Sequence, residues 1–385
     1  MANVIGQRGQ QVMVGVELDS LGDENAIGFS LNFNPNDLTF VSVAAGPDAS
    51  VTGAMFNMNT MQAANGRVGV AIALAAGQTF AAGNRKLATL TFNIPANGTA
   101  AAIPITFGDQ PVVGEVVGAM ANVLQATWTP GGVMFTRAVA SVSAASFQGG
   151  ELTPEQIVAA FGTNLATMTQ FGDDTDPATP GIQLPTQLAG TTVSVRDSLG
   201  MSRLAPLFFV SFGQINYLMP PGTAPGTATV TVTSGDASIS VGNVTIAGVA
   251  PGIFTANASG SGFPAAVVLR YPAGSSTPVV DPVARFDPNL NTFVPVPINL
   301  GAQGDQTFLI LFGTGWRGAN GAPNNKVTIK GVDTSTGLFL GAQGGLVGLD
   351  QGNVFIPQSL AGSGDVDLIL TAAGKIANTV KLNIK

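Results

Sequence analysis

Leu207-Phe-Phe-Val-Ser-Phe-Gly-Gln-Ile-Asn-Tyr-Leu-Met-Pro-Pro221 runs on into Gly226-Thr-Ala-Thr-Val-Thr-Val-Thr-Ser234. Further along, Gly345-Leu-Val-Gly-Leu-Asp-Gln-Gly-Asn-Val-Phe-Ile-Pro357 runs on into Gly364-Asp-Val-Asp-Leu-Ile-Leu-Thr371. Gln214, Asn216 and Pro220 line up with Gln351, Asn353 and Pro357 at one constant offset. After one inserted residue, Gly226 meets Gly364. An earlier pair agrees, Phe161-Gly-Thr-Asn164 with Phe312-Gly-Thr-Gly315. The C-terminal two-thirds of the chain is therefore a tandem of two related units.

Working outward, nearly every periodic segment has the two-residue period of a strand. In residues 1–136 these are Gln11–Leu18, Ala26–Phe33, Leu38–Val43, Val68–Leu74, Leu87–Ile94, Ile103–Phe107 and Gly132–Phe135. Residues 137–249 carry Thr191–Arg196, Leu207–Val210, Ala228–Thr233 and Val241–Ile246. Thr153-Pro-Glu-Gln156 is a capping box with Pro at the first helical position. The aligned Thr307–Phe312 is β-branched and aromatic, however, so the expectation is one turn followed by a strand. Residues 250–385 open with hairpin arms, Ala265–Tyr271 and Ala284–Val294, turning at Gly274 and Asn289. They continue with strands at Thr307–Phe312, Lys326–Lys330, Gly345–Leu349, Asn353–Ile356, Val366–Leu370 and Thr379–Ile384. The fold class expected is all-β: three β-sandwiches in tandem, 1–136, 137–249 and 250–385, with helix limited to single turns.

Composition bounds the function. The 385 residues are 45% hydrophobic but only 10% charged, against roughly 25% charged in an ordinary globular protein. Thr, Ser, Asn, Gln, Gly and Ala must cover the surface. The net charge is −7 and no Lys/Arg cluster exists to neutralise phosphates, which argues against nucleic acid as a partner. There is no cysteine and no histidine. Disulfides, thiolate metal sites and the commonest general base are thereby excluded. No apolar run approaches the ~18 residues of a membrane helix. Met1–Arg8 lacks a signal-peptide core, so an exported form would have lost its leader.

The order Gly28-Phe-Ser-Leu-Asn-Phe-Asn-Pro-Asn-Asp-Leu-Thr-Phe40, then Leu87-Ala-Thr-Leu-Thr-Phe-Asn-Ile94, then the closing Gly131-Gly-Val-Met-Phe135, resembles a cohesin domain over residues 8–136. The resemblance implies a nine-stranded jelly-roll sandwich, shared with some carbohydrate-binding modules, and a dockerin as partner. Residues 138–385 resemble an uncharacterised C-terminal domain family of secreted proteins from Acidobacteria. The stretches that carry this are Phe161-Gly-Thr-Asn-Leu165, Ala205-Pro-Leu-Phe-Phe-Val-Ser-Phe-Gly-Gln-Ile-Asn-Tyr217, Pro221-Gly-Thr-Ala-Pro-Gly-Thr-Ala-Thr-Val230, Val249-Ala-Pro-Gly-Ile-Phe-Thr255 and Gly362-Ser-Gly-Asp-Val-Asp-Leu368. Within it the two halves look like immunoglobulin-like domains of the IPT/TIG kind. That resemblance implies an exported, surface-associated chain and brings no catalytic residues.

Candidate sites are few. Asp173, Asp174 and Asp176 offer hard oxygen ligands in one loop, as calcium prefers, without the Gly and distal Glu of an EF-hand; a solvated acidic turn is the competing reading. Asp19, Asp23 and Glu24 form a sparser cluster of the same kind. Asp365 and Asp367 share one strand face, but the repeat puts Thr227 and Thr229 there, so a solvated outer face is expected. Gly313-Thr-Gly-Trp-Arg-Gly318 spells a dinucleotide fingerprint without the helix it needs. Sugar stacking would fall to Trp128, Trp316, Tyr217 and Tyr271. Lys86, Lys326, Lys330, Lys375, Lys381 and Lys385 could form isopeptide cross-links only if buried beside an acid; a surface lysine is the default.

The expected function is therefore non-catalytic, with no obligatory cofactor; if calcium binds, the Asp173–Asp176 loop is the first place to look for it. The leading reading is an extracellular or cell-surface structural or adhesive protein. Its partner would be a further copy of itself in a homopolymer, or an extracellular polysaccharide or protein. The alternative is a module that binds carbohydrate or a partner domain through residues 1–136. A short first strand ahead of Gly9-Gln-Gln-Val12 would leave an unpaired edge, open to strand addition and filament growth.

Overall fold

The computed structural model describes residues 1–97, 100, 102–173 and 184–385. The chain divides into two compact units, Met1–Thr136 and Arg137–Lys385. Both are built almost wholly of strands. Helix among the described residues is one five-residue segment, Pro47–Val51, and three single 3-10 turns.

Unit 1 is a sandwich of two sheets. One is three-stranded, in the order Gln11–Ser20, Gly83–Asn93, Thr39–Ala45. In the other, Glu24–Asn32 is central. Arg67–Ala73 pairs along one side of it, and Met55–Asn59 follows as the edge. On the other side Ala102–Gly108 and Glu115–Gly118 divide the strand between them. Ala102–Gly108 pairs with the start of the long Gly131–Ser143 strand, which takes Asn3–Gly6 in parallel on its far side. The alternation read from sequence is what fills the core. Val12, Val14 and Val16 face in while Met13 faces out, and Phe29 and Leu31 are fully buried. Burying such a side chain contributes about 1.5–3 kcal/mol. The first strand expected ahead of Gly9 is short, Asn3–Gly6, and it pairs in parallel with Gly132–Phe135.

Unit 2 holds two separate buried clusters, one drawn from Val139 to Ile246 and one from Val249 to Ile384. Their strand registers coincide. Ile157↔Leu218, Ala159↔Asn216 and Phe161↔Gln214 in the first half recur as Phe308↔Phe355, Ile310↔Asn353 and Phe312↔Gln351 in the second. In both, the glutamine amide donates to the asparagine two residues on: Gln214 Nε2 to Asn216 Oδ1 at 2.8 Å, Gln351 Nε2 to Asn353 Oδ1 at 2.7 Å. Thr153–Gln156 makes the capping-box bond, Thr153 N–H to Gln156 Oε1 at 2.9 Å, but forms only a turn. The β-branched run after it goes straight into the strand Ile157–Gly162. One expectation fails. Gly345–Leu349 is a turn, with Gly344 and Gly348 at positive φ, and the strand beside Asp350–Ile356 is Phe339–Ala342.

The two halves of unit 2 are fastened together. Gln156 Nε2 donates to Ala250 O at 3.1 Å and Ile157 N–H to Thr314 Oγ1 at 3.0 Å; within the second half Thr314 Oγ1–H donates to Gly348 O at 2.8 Å. Gly348 lies so close to Ile157 and Leu218 that a Cβ there would come within 2.6 and 2.8 Å of their side chains. That contact buries Leu218.

Asp197 and Asp305 are two of the unit 2 carboxylates whose pKa the fold lowers. Burial works to raise the Asp197 pKa. Arg203, with the N–H groups of Ala224, Met201 and Leu199, outweighs it and leaves the group below 3.8. The Ala273 N–H is the largest influence on Asp305. With Arg270 at 3.1 Å it likewise lowers that pKa against burial. A depressed folded pKa means the unfolded chain takes the proton first. The stabilisation is then complete above the unfolded value and is lost as pH falls through the folded one. The melting temperature of unit 2 should be flat from about pH 7 to 5 and fall below about pH 4. An unchanged melting temperature at pH 3 would contradict this, and Asp197→Asn should shrink the fall.

Candidate functional site

The outer face of the second unit 1 sheet carries the most distinctive surface. Because side chains alternate, Ile27 and Phe29 go inward and Ala26 and Gly28 outward. Pairing then lines up two outward rows. One is Glu115, Gly28, Ala71, Asn57; the other is Val117, Ala26, Ala73, Met55. These residues line a shallow depression of about 360 Å³. One wall is the segment between the strands Ala102–Gly108 and Glu115–Gly118, which folds back over the sheet. The Ser30 hydroxyl donates to Val112 O at 2.6 Å and accepts from Val112 N–H at 2.8 Å. The fold-back depends on glycine. A Cβ on Gly69 would meet Val112 at 2.6 Å, and one on Gly28 would meet Val113 O at 2.8 Å. The other wall is the Met55–Asn59 edge, where Met55 is 65% exposed.

The floor of this face is small, so a partner's backbone can approach closely. Its rim is methionine and valine, which adapt their shape to what they cover. Glu115 is its one ionisable group, so it holds no nucleophile–base pair and nothing to activate one. No charged residue occurs between Asp48 and Arg67, which leaves the Met55–Asn59 edge without the charge that usually guards one.

The residues singled out from sequence land elsewhere. Asp173 is exposed; Asp174 and Asp176 lie outside the described residues. Asp19, Asp23 and Glu24 do not converge. Glu24 is buried and accepts from Ser20 Oγ at 2.5 Å and from Leu21 and Gly22 N–H. Burial works to raise its pKa, and these bonds outweigh it and lower it. Asp19 accepts from Asn84 at 2.9 Å. Among the described residues no three acidic groups are placed to share a metal ion. Asp365 and Asp367 do share an outer face, and cross-strand Asn383 and Lys381 take them at 2.7 and 3.2 Å. None of the six lysines is buried. Tyr217 is buried with its pKa raised by burial and its hydroxyl 3.2 Å from Ser141. Tyr271 and Trp128 are half-buried.

The Gly313–Gly318 string builds a corner. Trp316 is fully buried, and a Cβ on Gly313 would overlap its ring at 2.0 Å. Asp350, also fully buried, accepts from the N–H of Trp316 at 2.7 Å and of Arg317 at 3.1 Å, and from Arg317 Nε at 2.7 Å. Burial pushes its carboxyl up, against the pull of Arg317. Arg317 reaches on to Glu155 in the first half at 3.3 Å.

Residues 2–135 match the family model of the cohesin domain. Solved structures are similar over the same part of the chain. CaCohA2 of Clostridium acetobutylicum is 20% identical, with 35% of this chain and 87% of that one covered and a TM-score of 0.31. The sixth cohesin of Acetivibrio cellulolyticus scaffoldin B, in complex with a Cel5 dockerin, is 19% identical over 35% and 94%, with a TM-score of 0.31. The cohesin in the Coh-OlpA-Doc918 complex of Clostridium thermocellum is 15% identical over 35% and 94%, again at 0.31. No curated protein matches the chain. The similarity to cohesin domains is thus confined to unit 1. Among the described residues no helix is long and apolar enough to cross a membrane.

Sequence reasoning had missed the Met55–Asn59 strand. Methionine and asparagine are weak strand signals, and the outward Ala and Gly that form the floor look featureless in a string.

Proposed function

We propose that the chain is a non-catalytic extracellular or surface protein in which unit 1 captures a partner protein domain and unit 2 holds it at a distance. The observation that carries this is the small-floored, almost uncharged sheet face with its exposed methionine rim on a cohesin-type module. Two of the similar solved cohesins are in complexes with dockerins, so a dockerin-like domain is the first partner to test. Unit 2 enters this reading as two successive immunoglobulin-like sandwiches, 137–249 and 250–385, supported by their coincident registers and separate cores. The resemblance of residues 138–385 to exported acidobacterial domains supports the extracellular setting, as does a surface with so few charges. The function needs no cofactor.

Isothermal titration of the full chain with a panel of type I dockerin domains tests the reading. Saturable binding to at least one member is expected. No heat with any member, together with retention on a polysaccharide array, would transfer the function to sugar binding.

A further inference from the structure

A depression of about 370 Å³ lies on the outer face of a sheet in the second half of unit 2, a size at the low end for ligand sites. Three strands build it: Ala266–Tyr271, Gln306–Thr314 and Asp350–Ile356. Side-chain alternation buries Val268, Leu309 and Val354 and leaves Leu269, Phe308 and Phe355 outward in one cross-strand row. Tyr271 pairs with Gln306 on one side of that row, and Ile310 pairs with Asn353 on the other. The depression lies among Tyr271, Gln306, Phe308, Ile310 and Asn353. All its lining residues fall between 269 and 353, and none is charged.

The floor mixes two chemistries. The rings of Tyr271, Phe308 and Phe355 brace one another, with centroids 6.1 and 5.7 Å apart, so they present fixed apolar surface. Among them stand amide and hydroxyl groups. Gln351 Nε2 donates to Asn353 Oδ1 at 2.7 Å, which orients the asparagine and leaves its Nδ2 free to donate. Among the described residues, that Nδ2, the Gln306 amide and the Tyr271 hydroxyl hold no hydrogen bond within the protein.

These groups narrow the occupant. A sugar ring offers C–H groups on its faces to aromatic rings, and hydroxyls at its edge to amides. An apolar protein segment would cover the rings but take the amides and the phenol out of water unpaired, which is costly. An ionic ligand would be desolvated without a counter-charge. A neutral saccharide meets both halves of the lining.

The tandem adds an independent observation. The amide pair recurs in the first half at Gln214 and Asn216, with the same bond at 2.8 Å. Phe209 pairs across from Asn216, and the Phe171 ring lies 5.0 Å from that of Phe209. The inward neighbours have diverged, Ile215 against Gly352 and Tyr217 against Val354. The outward amide pair has not, although it lies in neither buried cluster. A feature that two diverged copies both keep on an outer face points to a contact outside the fold.

We propose that the face around Tyr271, Phe308 and Asn353 is a binding site for a neutral polysaccharide, with a sugar ring seated against Phe308 and its hydroxyls taken by Asn353, Gln306 and Tyr271. The site belongs to unit 2 and is independent of the partner-domain face of unit 1.

Native affinity electrophoresis of the full chain tests this, in gels containing dextran, xyloglucan or galactomannan, with alginate as the anionic control. Retardation by at least one neutral polysaccharide is expected, and none by alginate. Gln306→Ala and Tyr271→Ala should each weaken the interaction about three- to tenfold, the loss of one hydrogen bond or one ring contact. Gln306 is exposed, so its variant should keep the parent melting temperature and remains readable even where Tyr271→Ala loosens the sheet. Ala71→Arg, on the unit 1 face, should leave the retardation unchanged. Absence of retardation in every neutral gel overturns the proposal, as does equal retardation by alginate, or retardation that neither unit 2 variant weakens. A particle mass that rises with protein concentration in the parent but not in Gln306→Ala overturns it in favour of a second copy on this face.

Discussion

Asp350→Ala should lower the unfolding temperature of unit 2 by on the order of 10 °C and leave the transition of unit 1 where it was. The carboxylate is fully buried and satisfies the N–H groups of Trp316 and Arg317 and the Arg317 guanidinium at once. Removing it strands two backbone donors and a cation that is itself only 19% exposed. Breaking a buried pair from one side costs about 3–5 kcal/mol. In a body of 150–250 residues each kcal/mol moves the midpoint by about 2–4 °C. The corner it holds also carries Trp316, so lost packing adds to the effect. Differential scanning calorimetry of the full chain measures both transitions. A shift of unit 2 under about 3 °C would mean that Asp350 is not the pin described here, and a matching shift in unit 1 would contradict the division of the chain into two bodies.

Ala71→Arg should abolish capture of the partner domain without unfolding unit 1. Ala71 stands at the middle of the floor, between Gly28 and Asn57. Its side chain points to solvent, so the longer residue clashes with nothing in the free protein and surface substitutions of this kind cost within about 0.5 kcal/mol. In the complex the same guanidinium would stand where a partner's backbone must lie and would be desolvated there without a counter-charge. Losses at the centre of an interface reach about 2–4 kcal/mol or more, which is thirtyfold to a thousandfold in affinity. Titration with the dockerin that binds the parent chain measures it. Affinity within threefold of the parent, with an unchanged melting temperature, would move the interface off this face.

Much of the fold was legible in the sequence because inward positions repeat with a period of two. Val12, Val14 and Val16, or Ile27, Phe29 and Leu31, can hardly pack any other way. The tandem in unit 2 was legible because Gln214 and Gln351 recur with their neighbours, and that alignment predicts the shared register down to the paired residues. Gly345–Leu349 misled for a physical reason. Its Leu and Val suit a strand, but Gly344 and Gly348 take positive φ, and the turn is fixed by contact with Ile157 and Leu218, over a hundred residues away. The sheet face was not legible. Alanine and glycine at outward positions form a site only once four strands and the Val112 fold-back place them together. The short first strand was legible too, because few residues precede the Gly9-Gln-Gln-Val12 turn, and it is the four-residue Asn3–Gly6.

The fastening between the halves of unit 2 decides how that unit carries a mechanical load. Gln156 and Ile157, at the start of the first half, bond to Ala250 and Thr314 in the second. Only a few residues separate the last strand of one half, Ile239–Ile246, from the first of the other, Gly252–Ile253. A pull applied along the chain therefore finds no slack to reel out between the two halves. It must first break those bonds and uncover Leu218, so extension should begin with one abrupt yield rather than the gradual straightening of beads on a string.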